Sequence, residues 1–164
     1  MAVAFAFVNE NIRLIVANDL ERMVAIDRAH TGHSRRQFFE KRLASAAAHP
    51  ENFVQIGLTR GEALRGFAIA RLLRGEFGRN DRVAMLDVLG VEPESQDRGV
   101  GQTLIDRLVE ILRQKGVRSL HSQASWTNHQ LLRFFDAAHF HQSPRIVLDR
   151  AVADPLIEPV EEPL

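Results

Sequence analysis

The sequence predicts a mixed α/β fold in which one sheet is covered by helices. Two hydrophobic patterns alternate along its 164 residues: short apolar runs, typical of strands, and longer stretches with apolar residues at helical spacing. In chain order they predict a strand, two helices, three strands, a helix, a strand, a helix and a strand, which indicates α/β architecture. A chain of this length is expected to form one domain with a sizeable buried core.

The first half of the chain supplies one strand, two helices and a hairpin. Asn18 and Asp19 are favourable N-caps for the first helix, and Ser34 is one for the second helix, which stops before Pro50. A tight turn over 60–63 between two apolar runs indicates an antiparallel hairpin. The predicted elements are a strand over 12–16, a helix to about residue 28, a second helix after residue 34, and strands over 53–59 and 66–73.

The second half contains the longest predicted strand and the most regular helix. Residues 83–91 are apolar except for Asp87, which is typical of a strand inside a sheet. The helix that follows carries apolar residues at helical spacing from Leu104 to Leu112 and ends at Gly116. A strand over 117–125, a helix over 128–138 and a strand over 146–148 complete the prediction. We expect residues 1–150 to form the domain and the acidic, Pro-rich residues 151–164 to form a loose tail.

The composition narrows the class of protein. Lys+Arg and Asp+Glu both number 21, so the formal net charge of +0 gives no support to nucleic-acid binding through general attraction to phosphate. The chain has no cysteine, which excludes disulfides, Cys-ligated zinc and thioester intermediates on a protein thiol. The apolar residues 1–8 are too few to span a membrane and lack the basic lead of a signal peptide. We therefore expect a cytoplasmic protein that binds neither nucleic acid nor membrane.

The turn before the most regular helix is the strongest candidate binding site. Gln96-x-x-Gly99-x-Gly101 connects a buried strand to a helix, so backbone amides without intrahelical partners point at one place, where the helix dipole favours an anion. Glycine lets the backbone approach a diphosphate, and Arg98 or Gln102 can add donors. The mononucleotide P-loop, which needs a following Lys-Ser or Lys-Thr, does not fit, and the dinucleotide fingerprint lacks its third glycine.

Two blocks of residues resemble the GNAT family of N-acetyltransferases. The turn is similar to that family's coenzyme A pyrophosphate loop, [Q/R]-x-x-G-x-[G/A], and Val91-x-Pro93 precedes it as in the family. Over residues 128–140 the pattern N-x-x-L-x-x-F-F-x-x-x-H-F is similar to the family's N-x-x-A-x-x-[LF]-Y-x-x-x-G-F. The resemblance covers roughly residues 12–148 and is strongest from 83 to 140.

The resemblance implies a GNAT-type fold: a mixed, mostly antiparallel sheet flanked by helices, with a splayed central strand pair that opens after a bulge near Leu89 and Gly90. The pantetheine arm of coenzyme A would lie in the opening, where the backbone of Leu89 and Val91 would bind it and polarise the thioester carbonyl. Asn128 would reach the arm, although an N-cap explains it equally well. The residues assigned to the coenzyme are Leu89, Val91, Gln96, Asp97, Arg98, Gly99, Val100, Gly101, Gln102, Asn128 and Phe135.

The proton carriers that the resemblance implies are missing. Phe135 stands at the position of the family's general-acid tyrosine, and the chain has no tyrosine at all. Relatives acting on protein N-termini often carry Glu or His where this chain has Gln123. Three arrangements stay open: transfer by proximity with water or Ser122 serving the thiolate and Asp87 as base through water, use of His121 or His139, or binding of acyl-CoA without fast turnover.

Each candidate catalytic residue has a structural alternative. Asp87 is either a base or the partner of an arginine, since an unpaired buried carboxylate is costly. His121 is either a proton carrier or a satisfied strand histidine. His139 and His141 lack a third ligand, so no metal site is predicted. The catalytic candidates are thus Asp87, Ser122 and His121.

Together these features predict an enzyme that transfers an acyl group, acetyl by expectation, from acyl-CoA to a primary amine by direct attack in a ternary complex. The amine belongs to a small molecule or a protein, and the departures at Gln123 and Phe135 favour a small or undefined amine. Glu76, Arg79 and the segment 31–36 are expected to face it. The alternative is a non-catalytic acyl-CoA-binding module. An edge strand at 146–148 and an apolar tail suggest a homodimer.

Overall fold

The computed structural model describes residues 10–75, 78 and 80–152, which form a five-stranded sheet with helices on both faces. The strands are β1 (Glu10–Leu14), β2 (Phe53–Arg60), β3 (Ala63–Arg74), β4 (Arg82–Val91) and β5 (Ser119–His121). The helices are α1 (Leu20–Thr31), α2 (Arg36–Ala48), α3 (Val100–Gln114) and α4 (His129–Ala137). Within the described ranges, no helix is both long enough and apolar enough to cross a membrane.

The sheet is antiparallel except at one edge, and its strands lie in chain order from β1 to β5. The pairs β1–β2, β2–β3 and β3–β4 are antiparallel, whereas β4 and β5 are parallel. A parallel pair needs a crossover connection, which α3 supplies. The predicted hairpin of β2 and β3 is confirmed, with Gly61 at φ 60° in its turn. The mixed, mostly antiparallel sheet predicted from the sequence is therefore confirmed.

Two hydrophobic layers enclose the sheet. On one face α3 buries Leu104 and Leu108 against β2, β3 and β4. On the other face α1 and α2 bury Ile26 and Phe39, and the Phe39 ring meets the ring of Phe67 in β3 edge-on at 5.7 Å. Since fully burying one such side chain stabilises a fold by about 1.5–3 kcal/mol, these two layers provide much of the driving force for folding.

A bulge at Asp87 changes which face the side chains of β4 occupy. Across the β3–β4 pair, Leu86 is opposite Ala70 and Val88 is opposite Ile69, so Asp87 is the extra residue. Leu86 belongs to the layer under α3, whereas Val88 belongs to the layer under α1 and α2. The bulge thus lets one strand serve both cores and leaves a carboxylate at the point of change.

The bulge predicted near Leu89 and Gly90 is wrong in position. A β-carbon at Gly90 would lie 2.7 Å from Cε1 and 2.8 Å from Cζ of Phe67. The glycine is therefore explained by the room that a core ring needs, and not by an irregular strand pairing.

The strand predicted over 146–148 is also wrong. These residues lie outside the sheet, and Ile146 and Leu148 are each 81% exposed. The strand predicted over 117–125 is shortened to 119–121, and the splayed pair consequently lies at one edge of the described sheet and not in its centre. The homodimer stays a prediction, now without an edge strand at 146–148 to support it.

The second helix has no Ser34 cap. α2 begins at Arg36 after Arg35, with no side chain bonded to its first amides. The apolar residues 1–8, the pair Glu76 and Arg79, and most of the predicted tail lie outside the described residues.

Candidate functional site

β4 and β5 run side by side for only three residues before they separate. The parallel ladder joins 83–85 to 119–121 and ends at the pair Met85 and His121. One further link follows, a hydrogen bond of 3.4 Å donated by Ser122 Oγ to Leu86 O. β4 continues as far as Val91 without β5 beside it. The splayed pair therefore leaves one edge of β4 open beyond Leu86.

The open edge of β4 presents main-chain donors and acceptors. Glu92 N donates to Arg65 O at 2.8 Å, so the main chain of Glu92 faces β3. Because successive residues of a strand turn their N–H and C=O groups to opposite edges, the polar groups of Val91 and Leu89 face away from β3. They lie where the sequence resemblance places a pantetheine arm.

The glycine turn (residues 96–101) leads directly into α3. Gly99 is the N-cap with φ 81°, a conformation that favours glycine, and Asp97 has φ 56°. The first intrahelical hydrogen bond runs from Thr103 N to Gly99 O at 2.9 Å. The amides of residues 100–102 consequently have no partner within the helix and lie at the positive end of its dipole. This first turn is suited to binding an anion.

Two glycines bring α3 close to its neighbours. A β-carbon at Gly66 of β3 would lie 2.9 Å from Val100 Cγ1, so its absence lets the first turn of α3 sit on the sheet. At Gly101 a β-carbon would lie 2.9 Å from Phe134 Cε2 of α4. Gly101 is therefore required for packing, a reason that the sequence did not reveal. A β-carbon at Gly99 meets nothing within 4 Å, so its backbone conformation alone favours glycine.

The side chains around the glycine turn differ in the charge and the free hydrogen-bond donors that they present to an anion. Arg98 is exposed, and within the described part of the chain its guanidinium forms no hydrogen bond or ion pair. Gln102 Nε2 donates to Asp106 Oδ1 at 2.8 Å and is thus engaged within α3. Asp97 is exposed and adds a negative charge. Arg98 is therefore the side chain better placed to add a donor for an anion.

A buried carboxylate that sequence reasoning missed braces the start of this turn. Glu92 is 5% exposed, accepts hydrogen bonds from Arg65 Nη1 at 2.7 Å and Ser95 Oγ at 3.0 Å, and pairs with Arg22 of α1. Burial is the largest single influence and raises the pKa of Glu92. The hydrogen bonds from Arg65 and Ser95 and the nearby guanidinium charges outweigh it and hold that pKa below its usual value.

His30 is a second residue that sequence reasoning missed. It lies in the last turn of α1, and its Nε2 is 2.6 Å from Val91 O. Gln96 Nε2 lies 3.4 Å from the same ring nitrogen and 3.5 Å from the other one, Nδ1. The sequence carries no signal for these contacts, because Val91 is 61 positions away and the helix pattern around His30 is ordinary. His30 thus joins α1 to both parts of the candidate site.

Asp87 is held by two arginines. Arg71 donates to it twice, from Nε to Oδ2 at 2.7 Å and from Nη2 to Oδ1 at 2.9 Å. Arg42 Nε lies 3.1 Å from Oδ2, and its guanidinium carbon lies 5.1 Å from the centre of the Phe38 ring. The Asp87 side chain is 7% exposed. From the sequence, Asp87 is expected to be either a base or the partner of an arginine. The contacts with Arg71 and Arg42 agree with the second alternative.

The other catalytic candidates lie where β4 and β5 separate. His121 Nε2 is 3.0 Å from Ser119 Oγ, and His121 belongs to the last strand pair. Ser122 is one residue further, and Asp87 is two residues beyond Met85. The structure therefore places all three candidates along the same separation. Among the described residues, no group of three or more His, Cys, Asp or Glu side chains is arranged to hold a metal ion.

Asn128 and Phe135 both have structural contacts. Asn128 is the N-cap of α4, and its Oδ1 accepts from Leu131 N at 3.1 Å. Phe135 packs against Phe134 and Phe140 with ring centres 5.8 and 4.8 Å apart. The second sequence block is therefore a packing unit that holds α4, and its contact with a coenzyme stays a prediction.

Residues 18–140 match the Acetyltransferase (GNAT) family. The chain therefore belongs to this family of acetyltransferases. A curated relative, the [ribosomal protein bS18]-alanine N-acetyltransferase of Salmonella typhimurium, is 25% identical over 93 residues. That alignment spans 57% of this chain and 58% of the relative.

Solved structures share the fold. The aminoglycoside antibiotic 6'-N-acetyltransferase AAC(6')-Ih from Acinetobacter baumannii has a TM-score of 0.72 at 18% identity, over 89% of this chain and 100% of that chain. AAC(6')-Iy, solved in complex with a CoA-containing bisubstrate analog, has a TM-score of 0.71 at 21% identity, over 88% of this chain and 99% of that chain. At these identities the likeness establishes the architecture alone.

Proposed function

We propose that the protein transfers an acetyl group from acetyl-CoA to a primary amine by direct attack in a ternary complex. One observation carries the proposal: the open edge at Leu89 and Val91 leads to the unpaired amides of residues 100–102. A strand edge fits an arm that contains amides, and a helix N-terminus fits a diphosphate. Coenzyme A contains both groups in one molecule, so the chain's own donors and acceptors suit it.

The reaction moves one acyl group and one proton. The amine nitrogen attacks the thioester carbonyl carbon, a C–N bond forms as the C–S bond breaks, one proton leaves the amine and one reaches the thiolate. We assign the N–H of Leu89 to the carbonyl oxygen, where it stabilises the developing negative charge. Because the chain has no cysteine, direct attack replaces a route through a protein thiol.

The protons are assigned to water and to side chains at the strand separation. Ser122 or water serves the thiolate, and water carries the amine proton toward Asp87 or His121. Of these two, His121 contacts the hydroxyl of Ser119, whereas Asp87 is held by two guanidinium groups. The geometry therefore favours His121 over Asp87 as the group that receives a proton.

The acceptor is proposed as a small or otherwise undefined amine. Gln123 and Phe135 occupy positions at which relatives acting on protein N-termini often carry ionisable side chains. The similar proteins include both an acetyltransferase for an alanine of a ribosomal protein and an aminoglycoside acetyltransferase. Both kinds of amine therefore belong in the test.

The test follows the release of free thiol from acetyl-CoA in the presence of polyamines, aminoglycosides and peptides with an N-terminal alanine. We expect release with at least one amine and no release without an amine. CoA binding without release across the panel would favour the alternative, a non-catalytic acyl-CoA-binding module. An absence of CoA binding would overturn the assignment of the glycine turn.

A matched pair of variants distinguishes a local contact with the coenzyme from a general effect of positive charge on CoA binding. Arg98→Gln removes the cation beside the turn, and we expect weaker CoA binding by about two- to fivefold. Arg113→Gln removes an exposed arginine in the last turn of the same helix and should leave the dissociation constant unchanged. Equal effects of both variants would contradict a local contact.

A further inference from the structure

His30 occupies the junction between the two halves of the proposed coenzyme site. Its Nε2 contacts the carbonyl of Val91, which ends the open edge of β4, at 2.6 Å. Its Nε2 and Nδ1 lie 3.4 and 3.5 Å, respectively, from the side-chain nitrogen of Gln96, the first residue of the glycine turn. The histidine comes from α1, a helix that otherwise contributes to the core on the opposite face from α3. One half-buried side chain thus spans from strand to turn.

The contact with Val91 defines the tautomer of the imidazole. A carbonyl oxygen only accepts hydrogen bonds, so Nε2 must carry the proton that is donated to Val91 O. Gln96 Nε2 lies 3.4 Å from Nε2 and 3.5 Å from Nδ1, so it packs against the ring and is not directed at one ring nitrogen. His30 therefore contacts the strand through a hydrogen bond and the turn through the Gln96 side chain. The ring aligns the turn with the strand.

The Val91 carbonyl keeps capacity for a ligand while His30 is bound. A carbonyl oxygen has two lone pairs, so one hydrogen bond from His30 leaves a second acceptor direction. Val91 N–H faces the same open edge. An incoming arm that contains an amide therefore meets a carbonyl whose position is already set, which lowers the ordering cost of binding.

We propose that His30 is a positioning residue of the coenzyme site, which holds the diphosphate turn in register with the strand edge that receives the pantetheine arm. This inference rests on the proposed function, because it takes coenzyme A as the ligand of both parts. It adds a residue from α1 to a site otherwise built from β4, the glycine turn and α3. It also accounts for a polar contact across 61 positions that the core does not need.

The experiment measures CoA dissociation constants and steady-state constants for His30→Ala and His30→Gln in the full chain. We expect His30→Ala to weaken CoA binding and to raise KM for acetyl-CoA by about three- to tenfold, with kcat changed less than about twofold. His30→Gln retains an N–H donor and a carbonyl acceptor and should recover most of the affinity. His49→Ala is the matched control, because His49 is exposed and follows α2 at the end of the sheet where β2 begins.

The outcomes separate this inference from the proposed function. If the unaltered protein binds CoA and His30→Ala binds it equally well, His30 is not a positioning residue and the proposed function stands. If the unaltered protein does not bind CoA, the proposed function is wrong, and the inference that rests on it is overturned as well. A merely structural role would lower the folded fraction, measured by thermal unfolding, and leave the dissociation constant of the folded protein unchanged. That pattern, or no recovery with His30→Gln, would overturn the inference.

Discussion

The ring of Phe134 occupies the space that a side chain at Gly101 would need. The distance from an added β-carbon to Phe134 Cε2 would be 2.9 Å, so the glycine joins α3 to α4. We predict that Gly101→Ala lowers the free energy of unfolding by about 1–3 kcal/mol through overpacking. Urea denaturation measures this change. Gly101→Ala combined with Phe134→Leu should recover part of the loss, and additive losses would contradict the contact.

The charge of Asp97 opposes an anion at the glycine turn. We predict that Asp97→Asn tightens CoA binding by about two- to fivefold at low salt, because it removes one negative charge beside the diphosphate. Asparagine tolerates the positive φ at this position, so the free energy of unfolding should stay within about 0.5 kcal/mol. Titration calorimetry at two salt concentrations measures the affinity. Glu110→Gln, an exposed change further along α3, is the control and should have no effect on it.

The pH dependence of stability should report the buried carboxylates Glu92 and Asp19. Hydrogen bonds from Arg13 are the largest influence on Asp19 and lower its pKa against the opposing effect of burial, and the pKa of Glu92 is also lowered. A carboxyl whose folded pKa lies below its unfolded pKa contributes stability above the unfolded value, about 4 for these residue types, and loses it as the pH falls through the folded value.

We therefore expect the free energy of unfolding to decline as the pH falls below about 4, with a shallower decline in Glu92→Gln. Urea denaturation from pH 6 downward, in steps of about half a unit, measures both curves, which should converge at the acid end. Glu94→Gln, an exposed change two residues away, should keep the slope of the unaltered protein. Parallel curves for Glu92→Gln and the unaltered protein would refute the linkage.

Asp87 is predicted to act chiefly through Arg71 and Arg42. Asp87→Asn removes the charge that both guanidinium groups face, and we expect a loss of about 1–3 kcal/mol in the free energy of unfolding. The reduction in kcat should be modest and should leave the shape of the pH–rate profile unchanged. If the free energy of unfolding is unchanged and kcat falls a hundredfold or more, Asp87 acts as the general base and this prediction is wrong. Arg42→Gln, which removes one of the two arginine contacts, should cost less stability than Asp87→Asn.

Local patterns in the sequence predicted much of the fold and the glycine turn. The spacing of apolar residues from Leu104 to Leu112 predicted α3, and the glycines before it predicted a turn that leaves amides unpaired. These features depend on neighbours within a few positions, so the sequence displays them directly. The predictions were wrong where strand formation depends on a partner elsewhere in the chain. Residues 146–148 are apolar enough for a strand, but apolar character does not specify a partner strand.

The sequence by itself determined the order of the elements from β1 to α4, the hairpin of β2 and β3, the absence of tyrosine and cysteine, and the glycine turn that leaves amides unpaired at the start of α3. Only the tertiary structure decided that the bulge lies at Asp87, that Gly101 makes room for Phe134, and that His30 contacts Val91 and Glu92 contacts Arg65. The physical reason is that periodicity and capping act through adjacent residues. Ion pairs, ring packing and contacts between helix and strand depend instead on groups that folding brings together from distant positions.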